Sequence, residues 1–324
     1  MKIAGCTITF RTINELKVHL LFELKIILAE WKLILIGLLC QYIHSIFHNL
    51  AYWMQMKLTP EQRMPLYDQG FELLPELTDA QANISEYLVF GGIFGPSIVL
   101  FVSILFIKPS GKSPPRLLSL LAKRVLLQTG MCLMLRCVSF LVTSLPGAAP
   151  HCRPTFNATC LDVNAANPGK LALCMTPNPY FKPPTTAVDM FFHIDALNGC
   201  GDLMFSSHTT YTMSFILAVF KYWRNKYVLV AMLLLQIAIA FVIVAARKHY
   251  TLDVIVALYV VPMVWFIQEA YHCDLNHKDA EVTPAAIKAA YGFDAPDDSV
   301  PTTGQVLMQT SFHETETPTT MVAP

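Results

Sequence analysis

Residues 227–246 read YVLVAMLLLQIAIAFVIVAA, and the chain runs on without a break into RKHYTLD at 247–253. Twenty uncharged residues are enough to cross a hydrocarbon core of about 30 Å as a helix. The seven that follow put two cations, a histidine and an aspartate at the membrane boundary. The rest of the chain agrees with the first half of this reading. Of 324 residues 54% are hydrophobic and 14% charged, and the mean hydropathy is +0.46; soluble domains carry about 25% charged residues. An ordinary soluble globular protein is excluded. Lys+Arg and Asp+Glu are balanced at 23 each, so no net basic field exists to hold nucleic acid. Nine cysteines among 324 residues are too few for a small disulfide scaffold.

Six stretches have the length of a membrane helix or nearly so: 33–54, 87–107, 125–145, 203–220, 227–246 and 250–268. The expectation is an all-α polytopic membrane protein of six transmembrane helices. The fourth and sixth are short and begin with polar residues, which is tolerated where those ends line a wet cavity. An active site is therefore expected at the luminal ends of helices four and six.

With both termini cytosolic, the cytosolic segments hold 15 Lys and Arg and the opposite side 7, Arg136 lying within a span. That asymmetry favours cytosolic termini. The first span starts too late, is too long and lacks the small-residue cleavage site of a signal peptide, so it is expected to be retained. Residues 1–32 form a cytosolic N-terminal segment in which 12–30 are either an interfacial helix or an extension of the first span. Residues 33–272 form the membrane domain. Residues 273–324, rich in Pro, Thr and Asp without periodicity, are expected to be a disordered cytosolic tail without chemistry. The loop 146–202 would then face an organelle lumen. It contains Cys152, Cys160, Cys174 and Cys200, an even number that fits an oxidising compartment and allows three pairings. Asn157-Ala158-Thr159 is a glycosylation sequon in the same loop, and Asn83-Ile84-Ser85 is another close to the bilayer.

Histidines at membrane helix ends are ordinarily interfacial, and His44, His48, His193 and His272 are read that way. His208 and His249 differ. Each opens a span, and two crossings separate them, so both lie on one membrane face. His249 and Asp253 are four apart on a helix and project from one side. The carboxylate can fix the imidazole tautomer and stabilise the imidazolium that forms as the other nitrogen attacks. Such a set needs no metal if the electrophile is phosphorus: one histidine attacks, the second protonates the leaving alcohol, and cations hold the oxygens. Arg247 and Lys248 adjoin the nucleophile. Arg136 is an expensive intramembrane charge, readable as a phosphate contact or as an interhelical ion pair, while Lys248 alone reads as an interfacial snorkelling lysine. No metal-ligand cluster of dependable spacing, nucleotide fingerprint or internal repeat accompanies them, and no cofactor is expected.

At these motifs the chain resembles the sphingomyelin synthase and inositol phosphorylceramide synthase family, a branch of the type 2 phosphatidate phosphatase superfamily. Leu66 through Leu77 (LYDQGFELLPEL) resembles the family's first motif. Leu135-Arg136-Cys137-Val138 through Leu145-Pro146-Gly147 and His151-Cys152-Arg153 resembles the second. Cys200 to Thr209 resembles the third, and Arg247 to Val254 the fourth. Ser206-Ser207-His208 and Arg247-Lys248-His249-Tyr250-Thr251 are most similar to the plant-type inositol phosphorylceramide synthases. Ala246 departs from the serine common at that position in relatives.

The resemblance implies head-group transfer. His249 attacks the donor phospholipid's phosphorus, Asp253 orients it, and His208 protonates departing diacylglycerol and then activates ceramide. Arg136, Asp202, Phe205, Ser206 and Arg247 are the implied substrate-binding residues. Phosphatidylinositol and ceramide are the implied substrates, in the Golgi or endoplasmic reticulum membrane. Phosphatidylcholine or phosphatidylethanolamine as donor is the nearest alternative. A lipid phosphate phosphatase and a non-enzymatic transporter are more distant ones.

Overall fold

Long apolar runs that must satisfy every backbone group internally become helices, and helices dominate the computed structural model. It describes residues 2–3, 6–7, 9–108, 116–164, 173–192, 199–271 and 283–296. Five helices are long and apolar enough to cross a membrane: α1 (Ile13–Gln55), α2 (Ala80–Phe106), α3 (Leu118–Thr143), α5 (Lys226–Ala245) and α6 (Thr251–Tyr271). Between them α4 (Ser207–Trp223) has 17 residues, about 26 Å at 1.5 Å per residue, and is the shortest of the bundle. The chain is an all-α polytopic membrane protein.

α1 is a single unbroken helix. Thr12 caps it in a reciprocal capping box with Glu15, and no turn separates residues 13–30 from the apolar half of the helix. α1 packs along α3 more extensively than any other helix pair does. Small residues permit the approach: a Cβ on Gly37 would stand 2.8 Å from the Leu126 Cβ, and one on Gly130 would stand 3.1 Å from that of Cys40. Backbone proximity of this kind is how membrane helices associate without a hydrophobic driving force. α2 contains a wider π-type turn over Leu88–Phe94. The central core joins α2, α4, α5 and α6 through Ile93, Ile216, Ile239, Ile243, Ala257 and Val261.

Within the segment expected to be an unstructured tail, Pro284–Tyr291 forms a short helix, α7, capped by Thr283. Its Ile287 is fully buried against Phe22, Ile26, Leu117 and Leu120. Phe293 meets Phe22 edge to face at 5.3 Å, and Tyr291 Oη donates to Glu30 at 2.6 Å. The amphipathic run was too short to stand out from its Pro- and Thr-rich surroundings. His193 and His272 lie outside the described residues.

Candidate active site

The loop before α4 is built to present His208. Ser206 caps the helix, its Oγ accepting from Thr209 N–H at 3.3 Å. Upstream, two disulfides select one of the three pairings, Cys152–Cys200 and Cys160–Cys174. The first ties the loop after α3 to the residue two places before Asp202. Gly201 adopts φ +87°, and a Cβ there would meet the Gln55 side chain at 2.6 Å. Met204, a non-glycine residue at φ +82°, is held in that unfavourable region by its N–H, which donates to Asp253 Oδ1 at 2.8 Å.

Asp253 is fully buried. Its Oδ2 lies 3.2 Å from His249 Nδ1 and accepts from Tyr250 N–H at 3.0 Å, while its backbone carbonyl accepts from Ser206 N–H at 3.1 Å. One carboxylate therefore fixes the α6 histidine and the α4 loop together. With Nδ1 bound to Asp253, the Nε2 of His249 is the nitrogen left for chemistry. The His208 and His249 rings face each other with centroids 5.8 Å apart at 74°. His208 Nε2 is 3.1 Å from Glu86 Oε1, and Lys248 Nζ donates to the same oxygen at 2.5 Å and to Ser85 Oγ at 2.9 Å. His208 Nδ1 has no hydrogen-bond partner.

Both histidines line a cavity of about 960 Å³, together with His48, Glu86, Asp202, Ser207 and Lys248. A volume of that order accommodates parts of two lipid molecules.

Of the residues expected to bind substrate, Asp202 lines this cavity and four do not. Arg136 is 1% exposed. It donates to the carbonyl of Asp202 at 2.6 Å, to its Oδ2 at 2.5 Å and to the carbonyl of Phe205, and it lies 2.7 Å from His44 Nε2. It pairs with the loop that leads to His208 and braces it from α3. Phe205 is packed in the apolar core, and Ser206 is spent on the cap. Arg247, at φ +57°, donates to the carbonyls of Phe71 and Leu74 at 2.9 and 3.0 Å and stacks on the Phe71 ring. It secures the first motif against the α5–α6 turn. Asp68 completes that join, accepting from Thr251 N–H at 2.9 Å and Thr251 Oγ1 at 2.6 Å.

Glu86 was not singled out from the sequence, and His48, read there as an interfacial histidine, is buried on the cavity wall instead. An acid at the leading edge of an apolar run is a usable signal, and Glu86 carried it. His48 Nδ1 lies 3.0 Å from Asp202 Oδ2. Burial opposes the Asp202 charge, yet the Arg136 guanidinium and His48 outweigh it and hold the carboxyl well below the usual carboxylate range. Among the described residues, His151, Cys152 and Cys200 come together at metal-like spacing. Both sulfurs are committed to the disulfide and are not available as thiolate ligands.

Fold and site together define a polytopic membrane protein with two histidines on the wall of one cavity, and residues 199–270, which contain both of them, match the family model described as PAP2 superfamily C-terminal. The chain is 30% identical over 269 residues to phosphatidylinositol:ceramide inositolphosphotransferase 3 of Arabidopsis thaliana, with 82% of each chain covered. It is 31% identical over 266 residues to phosphatidylinositol:ceramide inositolphosphotransferase 2 of the same plant, covering 82% of this chain and 78% of that one. A phosphatidylinositol:ceramide inositolphosphotransferase of Oryza sativa subsp. indica is 32% identical over 247 residues, with 75% and 67% covered. The chain belongs to the phosphatidylinositol:ceramide inositolphosphotransferase family.

Proposed function

We propose that this protein moves phosphoinositol from phosphatidylinositol to the primary hydroxyl of ceramide, releasing diacylglycerol. His249 Nε2 attacks the donor phosphorus. The phosphorus–oxygen bond to the glycerol breaks, and the protonated His208 imidazole gives a proton to the departing alkoxide. Diacylglycerol leaves, and a phosphohistidine remains. His208, now neutral, takes the proton of the ceramide hydroxyl as that oxygen attacks phosphorus and frees His249. Asp253 keeps the His249 tautomer and stabilises the imidazolium; it does not itself exchange the proton. Glu86 holds His208 in place. Lys248, on the cavity wall next to the nucleophile, is the cation nearest the reacting phosphate, and Arg136 and Arg247 position the loops instead.

The observation that carries this reading is the His249–Asp253 pair facing His208 across one cavity, in a chain whose relatives bear that activity in their names. The chain crosses the membrane six times, α4 being the short span, with termini cytosolic and the site luminal in a Golgi or endoplasmic reticulum membrane. The Lys and Arg asymmetry and the disulfide-bearing loop support that orientation.

The test is head-group transfer to fluorescent ceramide by detergent-purified full-length protein, given phosphatidylinositol, phosphatidylcholine and phosphatidylethanolamine separately. Product from phosphatidylinositol is expected. Product from the choline or ethanolamine donor alone would overturn the donor, and no product from any donor would overturn the transferase reading.

A further inference from the structure

Histidines aside, the charged side chains on the wall of the main cavity are Glu86, Lys182, Asp202 and Lys248. Three of them are matched. Lys248 Nζ donates to Glu86 Oε1 at 2.5 Å, and Arg136, behind the wall, pairs with Asp202 Oδ2 at 2.5 Å. Lys182 is the cation left over. It is exposed, and among the described residues no acid forms an ion pair with it. Asp189, the acid of a side pocket of about 150 Å³ that also includes Lys182, accepts from the Thr186 N–H at 3.3 Å and is not part of the main wall. The loop beneath Lys182 is held firmly. Its backbone N–H donates to Tyr52 Oη at 2.9 Å. The Phe181 ring before it meets Tyr52 edge to face at 5.3 Å and carries the Arg63 guanidinium at 4.5 Å. Asn178 donates to the carbonyls of Pro150 and Arg153 at 2.8 and 2.9 Å, and Pro183 and Pro184 stiffen the chain that follows. The charge therefore has a defined place, on the α3–α4 loop. His208 and His249 stand at the ends of spans and a phospholipid's acyl chains stay in the bilayer, so the part of a head group beyond the phosphate extends toward this loop.

We infer that Lys182 selects the donor by charge, favouring a phospholipid whose head group beyond the phosphate is neutral and repelling one that ends in an ammonium. The inference rests on the donor proposed above and adds the residue that reads it. Phosphatidylinositol carries one negative charge, on the phosphodiester, and its polyol is neutral. Phosphatidylcholine and phosphatidylethanolamine carry the same phosphate and bring a cation toward the lysine. The interaction acts through space and requires no direct contact. Tyr52 and Tyr180 lie on the same wall, and aromatic rings are what a quaternary ammonium otherwise binds. A fixed cation beside them turns that wall against choline, and specificity commonly rests on such a repulsive element.

The experiment measures initial rates against donor mole fraction in nonionic mixed micelles at saturating ceramide, for wild type, Lys182→Arg, Lys182→Met and Lys182→Glu. Phosphatidylinositol and phosphatidylcholine are run in parallel at low and high salt, and thermal midpoints in the same detergent check the fold. For phosphatidylinositol, Lys182→Met is expected to raise KM about fivefold, the upper end for a water-exposed charge pair, with kcat within about twofold. Lys182→Glu raises it further, about 25-fold if the two charge steps add, and yields more choline product than wild type does. Lys182→Arg keeps the wild-type preference. High salt narrows the preference of wild type toward that of Lys182→Met and moves the latter little, because screening replaces what the substitution removed. An unchanged phosphatidylinositol KM in Lys182→Glu, Arg and Met variants that behave alike, or a wild-type preference indifferent to salt would overturn the assignment to Lys182, while wild-type transfer from phosphatidylinositol leaves the activity standing. Wild-type protein using the choline donor alone would overturn both, and that outcome is read before any variant is made.

Discussion

At one end of the bundle Glu23, Glu30, Lys123, Arg124, Lys221 and Glu269 reach partners on neighbouring helices; at the other His44, His48, Glu86, Arg136, Asp202, His208, Lys248, His249 and Asp253 form hydrogen-bonded pairs among themselves. Glu23 of α1 accepts the Leu118 and Ser119 N–H groups of α3, each at 2.8 Å, and the Ser119 hydroxyl at 2.5 Å. It caps a helix whose own N-cap residue, Leu117, has no side chain able to do so. Lys123 pairs with Glu30 at 3.2 Å, and Glu269 takes both Arg124 and Lys221. None of these groups lines the 960 Å³ cavity. The residue types at the two ends are nearly the same. What separates them is that six of the second set, His48, Glu86, Asp202, His208, Lys248 and His249, line one cavity, whereas the first closes helix against helix. Charge at a membrane helix end therefore marks a join as readily as a site.

The sharpest way to break that comparison is to remove the nucleophile. His249→Ala should lower transfer by at least about 10³-fold with expression and thermal midpoint near wild type. Activity surviving within tenfold would show that the cavity works by another group. Next in size is Glu86→Gln. Losing the carboxylate that holds His208 and Lys248 should lower kcat about 10- to 100-fold, part of the roughly 10²- to 10⁴-fold that a general acid–base group supplies, with donor KM little changed. The measurement is steady-state kinetics, and a pure KM effect would reassign Glu86 to binding.

How much of this was legible beforehand follows from range. His249 and Asp253 are four apart on one helix, so spacing alone pairs them. His208 joins them by crossing parity, which needs only the span count. Glu86 and His48 come from helices more than 120 and 150 positions away from their partners His208 and Asp202, and no periodicity links such positions. Arg136 was visible as an intramembrane charge, but whether it meets phosphate or backbone depends on how the loop from Cys200 to Ser206 folds beneath it. That loop is fixed by a disulfide, a glycine at positive φ and Asp253, all of them tertiary facts. In the same way Ile287 reads as an isolated apolar residue until Phe22, Ile26, Leu117 and Leu120 are seen around it.

Smaller effects sharpen the comparison by testing stability at each end. Asp202→Asn leaves Arg136 buried without its counter-charge and should cost about 3 kcal/mol. Because the native carboxyl titrates below its unfolded value near 4, its contribution is complete above that value and is lost as pH falls through the lower, native one. The gap in thermal midpoint between wild type and variant should therefore be constant from pH 5 to 8 and shrink below about pH 4. A gap that instead widened on acidification would mean that the carboxyl is not held in its charged form by Arg136 and His48.

At the opposite end, Glu23→Gln keeps the shape of the side chain and one acceptor oxygen but removes the charge from the N-terminus of α3. One of the two backbone N–H bonds can be retained, and the interaction with the helix dipole is weakened. The expected loss is about 1 kcal/mol, the ordinary worth of a cap, read as a lower thermal midpoint with kcat and KM for both substrates unchanged. That separation of stability from turnover is the distinguishing readout, because every substitution among the cavity-lining histidines and Glu86 should move a kinetic constant. A Glu23→Gln protein with wild-type stability and altered kinetics would place functional chemistry at the end of the bundle where the structure puts only helix-to-helix joins.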